Sequence, residues 1–387
     1  MSRWADVVDF HRSLLADRVR MESYQRAISG MVRAGDVVLD LGTGTGILAC
    51  MACKAGARRV YAIEAGDVVD LAKQVCLKNG LQDRVVFMND LSSRVDLPER
   101  VDVLVTETLG NFGLDEGILG SIIDARERFL RENGTIIPRS VELFIAPVEL
   151  HDVYQQKIDF WANDLYGLDF SPIRALATNH LYPVTLAQDA FLGDPVSLVR
   201  IDLYEAKASD VGGQVSFMAN RRGTLHGMAG WFGAELTKET CLSNAPPITT
   251  SNWSHSFFPL ERPVPLEVGD RLRVAINSLG NGAVWRWRVD VDAQSDSRGA
   301  LRGQKAAFDQ STFWGFPLSG ERLRRLSSRY APKLSRRGEA RLFLLNLFNG
   351  DRTIGEMEGE LLRCHSDYFK SQREASEFVR EVVASCA

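Results

Sequence analysis

The 387-residue sequence predicts an α/β protein: a doubly wound parallel sheet, then an antiparallel β-barrel, then a small C-terminal helical segment. Three observations carry this. Between residues 36 and 150, short apolar runs alternate with helical stretches, the pattern of a parallel sheet covered on both faces. From about Glu142 to Asp292 the pattern changes to many short strands with turn signals between them, which reads as an antiparallel barrel or sandwich. Over residues 331–387 the sequence is helical again. There Asn349-Gly350-Asp351 forms a turn signal, and Thr353 and Glu356 stand at capping-box spacing.

Taken in order, residues 1–35 read as two helices, with apolar residues at helical spacing from Met21 to Met31 and Gly35-Asp36 closing the segment. A domain over 36–140 begins with the buried strand Val37 to Leu41. A glycine loop follows, then a helix from Ile47 to Ala55 stopped at Gly56. Val60 to Ile63 is a second strand, and Asp67 to Asn79 a helix ending at Gly80. Arg84 to Met88, Val101 to Thr106 and Thr135 to Ile137 are further strands. The barrel is expected over 141–293, with strands at Gln214 to Met218, Thr224 to Phe232, His255 to Leu260 and Leu272 to Ile276. An irregular insertion at about 155–196 interrupts it. Residues 294–330 read as a polar, basic connector.

Composition bounds the function. A hydrophobic content of 45% over this length supports two or three cores. The net charge of −4 leaves no nucleic-acid footprint, which needs a basic domain or stripe. The run 322–341 holds eight basic residues against one acid and reads as a solvated linker. Six scattered cysteines, no secretory leader and no long apolar run give a cytoplasmic expectation with no membrane contact. Cys50 and Cys53 have redox-like spacing but sit in an apolar helix, and no cluster has metal-ligand spacing, so no metal is expected. Arginine outnumbers lysine 37 to 9, a base-composition signature that points to a GC-rich bacterial genome.

Asp40-Leu-Gly42-Thr43-Gly44-Thr-Gly46 follows a strand and opens a helix, and Glu64 ends the next strand. Glycines let the backbone turn sharply and approach a ligand closely, while an acid in that place accepts ribose hydroxyls. The pair suits any nucleoside-carrying cofactor. The G-x-G-x-G spacing departs from that of dinucleotide sites, and the acidic surroundings suit a sulfonium, S-adenosylmethionine, better than a pyrophosphate. A dinucleotide site and a glycine turn without ligand are the alternatives.

Glu107 ends the fourth strand at the carboxyl edge, where such sheets bind ligands. Glu116 follows nine residues later, with Gly110, Gly113 and Gly117 permitting a hairpin that folds it back. Two carboxylates at one site repel unless a cation lies between them. A guanidinium fits, because its planar fork of donors matches carboxylates bidentately. Plain loop charges are the alternative for the pair taken alone.

These residues resemble the protein arginine methyltransferase family over about residues 8–292, which implies a Rossmann-like cofactor domain and a barrel. His11-Arg-Ser-Leu-Leu-Ala-Asp17-Arg-Val-Arg20, running on to Tyr24, resembles the helices that cover the cofactor. The resemblance implies that Arg20 binds the cofactor carboxylate, that Asp17 braces the site, and that His11 stands with them toward the acceptor. Gly42, Thr43, Gly44 and Gly46 resemble the cofactor loop and Glu64 the ribose acid, and Asp40 is expected to contact the cofactor with them. Asp90, Leu91 and Ser92 fall where the adenine ring is expected. Thr106 to Glu116 resembles the double-glutamate loop, with Glu107 and Glu116 catalytic. Trp161 to Ser171 resembles the start of the dimerisation arm, implying a homodimer. Asn252-Trp253 resembles a barrel loop that carries a His-Trp pair beside the substrate.

Asn252 replaces the histidine of that pair, Thr108 a bulky aromatic and Leu14 a methionine, which points to a reshaped acceptor pocket. With the bacterial signature, this favours free L-arginine or a small derivative in natural-product metabolism as acceptor. The alternatives are arginine in a protein or specific peptide, and a non-catalytic cofactor-binding partner. Leu344 to Glu356 resembles small winged-helix modules that bind leader peptides, and a packing appendage is the alternative.

Overall fold

The computed structural model describes residues 2–247, 253–294, 303–317 and 319–386. The chain divides into two compact units, 1–317 and 318–387.

The larger unit opens with two helices, α1 (Ser2–Ala16) and α2 (Arg18–Met31). Asp17 separates them, and its side chain accepts the Arg20 amide as the N-cap of α2. The sheet region then runs β1 (Val37–Leu41), α3 (Ile47–Ala55), β2 (Arg59–Ile63), α4 (Val69–Lys78), β3 (Val85–Met88), β4 (Val101–Thr106), α5 (Ile118–Arg128) and β5 (Leu130–Ile137). The strands pair in the order β3-β2-β1-β4-β5, all parallel. β1 is buried along its whole length, as a central parallel strand covered by helices must be. The order reverses between β1 and β4, and the crevice above that switch point is where such sheets accept ligands.

The chain continues through β6 (Ser140–Val148), α6 (His151–Lys157), β7 (Asp164–Leu165), β8 (Leu168–Asp169), α7 (Ser171–Ala177) and β9 (Tyr182–Val184). It goes on through β10 (Val196–Asp202), β11 (Val211–Met218), β12 (Gly223–Glu235), β13 (Cys241–Ser243), β14 (His255–Leu266), β15 (Arg271–Leu279), β16 (Val284–Asp292) and β17 (Gln304–Ser311). One antiparallel sheet runs β10-β6-β12-β14-β9, with β13 on β12, and the other runs β11-β15-β16-β17. Their inner faces close a core of aromatic side chains, with Trp287 and Phe258 fully buried and their rings 5.6 Å apart edge to face.

Two elements differ from the sequence reading. The expected connector 294–330 contains β17, which pairs with β16 from Arg286 opposite Ser311 to Asp292 opposite Gln304. Its buried residues Ala306, Phe308 and Gln310 alternate with the exposed Ala307 and Asp309, so it lacks an apolar run while serving as an edge strand. The insertion at about 155–196 holds α7 and the β7–β8 hairpin, where Tyr166 is fully exposed.

In the smaller unit, α8 (Gly320–Leu326) precedes three helices, α9 (Arg336–Leu345), α10 (Ile354–Cys364) and α11 (Gln372–Cys386). These three pack Leu344, Leu361, Phe378 and Val379 into a core of their own. Thr353 and Glu356 form the expected capping box on α10. Among the described residues, no helix is long and apolar enough to cross a membrane.

Candidate active site

A cavity of about 620 Å³ opens at the carboxyl ends of β1, β2 and β4, beneath α1. Its floor is the glycine loop after β1. Gly44 has φ of 54°, and a Cβ there would stand 3.0 Å from the His11 ring, so both conformation and clearance require glycine. The Glu64 carboxylate accepts the Gly44 amide at 3.0 Å and the Gly66 amide at 2.8 Å, which ties the loop to the end of β2. His11 closes the cavity from α1, and burial lowers its pKa despite the nearby Glu64 charge.

Asp40 does not line the cavity. It lies fully buried behind the loop, where Oδ2 accepts the Thr43 hydroxyl at 2.5 Å and the Ala49 amide at 2.9 Å. Burial lifts its pKa to about 7. This expected cofactor contact therefore acts on the loop from below. Gly46 also stands outside the lining and is the N-cap of α3, with φ of 83°.

Asp90, Leu91 and Ser92 likewise lie outside the lining. Asp90 and Leu91 are exposed, and the Ser92 carbonyl accepts a hydrogen bond from Arg128. The segment turns away after β3 in a short 3-10 helix, Ser92–Arg94.

The opposite wall carries the charged groups. Arg20 is almost wholly buried, with its guanidinium carbon 3.5 Å from the centroid of the Trp253 ring. Its Nη1 donates to Glu107 Oε2 at 3.2 Å, while Nε lies 3.7 Å from Asp17 and has no hydrogen-bond partner among the described residues. Glu107 and Glu116 both line the cavity. Burial raises the pKa of Glu107 to about 7; Arg20 opposes the rise and the Glu116 charge adds to it. Burial raises Glu116 as well, again opposed by Arg20. Asn252 lies outside the described residues.

Sequence reasoning missed what holds the glutamate loop. Phe112 leaves the loop at its midpoint and is fully buried, packing at 5.3 Å on the Phe258 ring and 5.0 Å on the Trp285 ring. Burying a phenylalanine stabilises such a seat by about 1.5–3 kcal/mol. Asn244, fully buried, donates to the carbonyls of Asn111 and Ser254 at 2.8 Å each, and Asn111 Oδ1 accepts the Ser254 amide at 2.9 Å. Asp115, which neighbours Glu116, accepts the Phe112 amide at 2.7 Å and so braces the loop from within. None of these residues forms a motif. The one available signal was Asn281-Gly282, a hairpin dipeptide whose side chain also reaches this loop.

A glycine loop after the first strand, with an acid after the second and a carboxylate after the fourth on the same cavity, fits the class of S-adenosylmethionine-dependent methyltransferases on a Rossmann-like sheet. Comparison with known proteins narrows it. Residues 139–294 match the arginine methyltransferase oligomerization subdomain, and residues 23–139 match the ribosomal protein L11 methyltransferase (PrmA) model. Protein arginine N-methyltransferase 6 of Xenopus laevis is 33% identical over 274 residues, covering 67% of this chain and 80% of that one. Protein arginine N-methyltransferase 2 of Homo sapiens is 31% identical over 298 residues, covering 73% and 68%. The probable protein arginine N-methyltransferase 6 of Arabidopsis thaliana is 36% identical over 239 residues, which are 59% of this chain; the chain spans only 55% of that protein's length. Among solved structures, the Trypanosoma brucei PRMT1 enzyme-prozyme heterotetrameric complex with AdoHcy aligns at a TM-score of 0.69 and 23% identity, covering 78% of this chain and 97% of that one. Arabidopsis thaliana protein arginine methyltransferase 10, in an open conformation, aligns at 0.66 and 25%, covering 78% and 96%. The chain belongs to the protein arginine N-methyltransferase family.

Proposed function

We propose that the chain transfers a methyl group from S-adenosylmethionine to a terminal guanidino nitrogen of arginine carried in a protein or peptide. The observation that carries this is the convergence of Glu107 and Glu116 on the cavity that also exposes the glycine loop and Glu64. The names of the curated relatives favour a protein acceptor over free L-arginine, the acceptor expected from Thr108 and Asn252.

The residues present fit the cofactor. The glycine loop leaves room for close approach, and Glu64 keeps lone pairs for ribose hydroxyls beyond its two backbone contacts. Arg20, which lines the cavity, presents a buried guanidinium to a carboxylate there. When bound, the cofactor supplies an electrophilic methyl group on a positively charged sulfur.

The protein's part is electrostatic and geometric. Glu107 and Glu116 cancel the repulsion between the acceptor cation and that sulfur, and bidentate contacts fix the plane of the guanidinium. The nitrogen that gains the methyl group must shed a proton. Glu107, with its proton affinity raised to neutrality by burial, is placed to take it. Asp17 anchors the start of α2 and so holds Arg20 against Glu107. Asp90, Leu91 and Ser92, which stand outside the cavity lining, are kept as the candidates for the adenine end.

The assembly proposed is a homodimer. It is supported by the match to the oligomerization subdomain and by exposed Phe160, Tyr166 and Leu168 in the insertion. Mass spectrometry after incubation with labelled cofactor tests the acceptor. Label on a peptide arginine is the expected result, whereas label on free arginine alone would return the acceptor to the small-molecule reading.

A further inference from the structure

Glu116 reaches the cavity just before α5, between the Asp115 brace and the first turn of that helix. Gly117 is the N-cap of the helix, with φ of 73°, and has no side chain to cap it, so the first-turn amides lack a local side-chain acceptor. The missing cap comes from 161 residues away. Asn281 Oδ1 accepts the Gly120 amide at 2.8 Å, and Asn281 Nδ2 donates to the Gly117 carbonyl at 2.8 Å.

Asn281 sits at the tip of the hairpin joining β15 and β16, with φ of 58°. The tip lies close against the loop on both sides of Glu116. A Cβ on Gly282 would fall 2.4 Å from the Leu114 carbonyl oxygen, and one on Gly120 would fall 2.7 Å from Asn281 Nδ2. The barrel hairpin is thus a template for residues 114–120.

We propose that Asn281 is a positioning residue for arginine methylation, capping α5 from the barrel and so setting where the Glu116 carboxylate stands relative to Glu107. The inference rests on the reading that these two carboxylates hold the guanidinium. Without the cap, the first turn of α5 is free to shift. Displacement of a substrate-holding group by about 1 Å can cost a hundredfold in rate.

A purely structural role would lower stability alone; this one also moves a titration. Glu107 faces Arg20, Asp17 and Tyr24 from the region of α2, Glu116 from its own loop, and the Leu109 amide. The Glu116 charge raises the proton affinity of Glu107. If Glu116 drifts away, that repulsion weakens and Glu107 ionises at lower pH.

The test compares full-length wild type with Asn281→Gly, which keeps the positive φ and removes the side chain, and Asn281→Asp, which keeps the acceptor for Gly120. Methyl transfer to an arginine-containing peptide and to free L-arginine is followed across the neutral pH range, with AdoHcy affinity measured by calorimetry. Asn281→Gly is expected to lose roughly ten- to a hundredfold in kcat/KM. Its AdoHcy affinity should be unchanged, its acid limb should shift to lower pH, and Asn281→Asp should recover part of the rate. Should Asn281→Gly fail to fold, Gly120→Ala carries the test: it favours the helix yet displaces the Asn281 amide, and the same shift of the limb is expected. Wild-type kcat/KM with an unmoved acid limb overturns the proposal, as does a loss of rate that only tracks lost AdoHcy affinity. Glu116→Gln keeps the two ideas apart. If it is fully active, the two-carboxylate reading fails; if it is inactive while Asn281→Gly is normal, only the role of Asn281 fails.

Discussion

Glu107→Gln keeps the shape of the side chain and removes its charge. In the structure this carboxylate is 13% exposed and accepts Arg20 Nη1 at 3.2 Å, so it acts in a poorly hydrated place where charge counts. Losing one buried charge contact to the acceptor costs on the order of 2–5 kcal/mol. That corresponds to roughly 30- to 5000-fold in kcat/KM. The glutamine oxygen still accepts from Arg20, so AdoHcy affinity by calorimetry should change little. The pH profile sharpens the test. A guanidinium needs the ionised carboxylate, and burial holds the wild-type pKa at about 7. Wild-type kcat/KM should therefore fall as pH drops below 7, by roughly tenfold per unit if this group alone titrates. Glu107→Gln cannot titrate, so its residual rate should lose that limb. A variant within a few-fold of wild type, or one that keeps the acid limb, would refute the role assigned to Glu107.

Three further outcomes are expected. Gly44→Val puts a branched side chain at φ of 54° against the His11 ring, and calorimetry should register no AdoHcy binding to the variant. Gly230→Ala places a Cβ 2.4 Å from the Phe112 ring; thermal melts should show a loss of about 1–3 kcal/mol, and turnover should fall while AdoHcy affinity persists. Wild-type stability here would show that the Phe112 seat is loose. Light scattering at micromolar protein should give twice the 43.1 kDa chain mass, and a monomer would remove the homodimer from the reading.

The parallel sheet was legible because its strands are short, mainly apolar runs separated by glycine-bearing helical stretches. Val37 to Leu41 and Val101 to Thr106 match β1 and β4 residue for residue. Helix α5 was not legible, since its cap is a distant asparagine rather than a local serine or aspartate. β17 hid in polar sequence because only its alternate residues turn inward. In the site, Gly44, Glu64, Glu107 and Glu116, singled out by motif and spacing, line one cavity. Asp40 was misplaced because a buried loop-bracing acid and a ligand-facing acid look alike in sequence. Asn244 and Asn281 act through backbone contacts more than a hundred residues away, which no local pattern encodes.

The seat of Phe112 bears on how this enzyme could change over generations. The loop that presents the glutamates is spelled by one stretch of chain but shaped by another, since Phe112 sits among Phe258, Trp285 and Gly230. The glycine loop and Glu64 are instead tied to each other by hydrogen bonds within the parallel-sheet region. Grafting a foreign sheet domain onto this barrel would therefore leave the glycine loop and Glu64 joined to each other but take Phe112 from its seat. Drift at Phe258, Trp285 or Gly230 would move the glutamate loop without touching the glycine loop or Glu64.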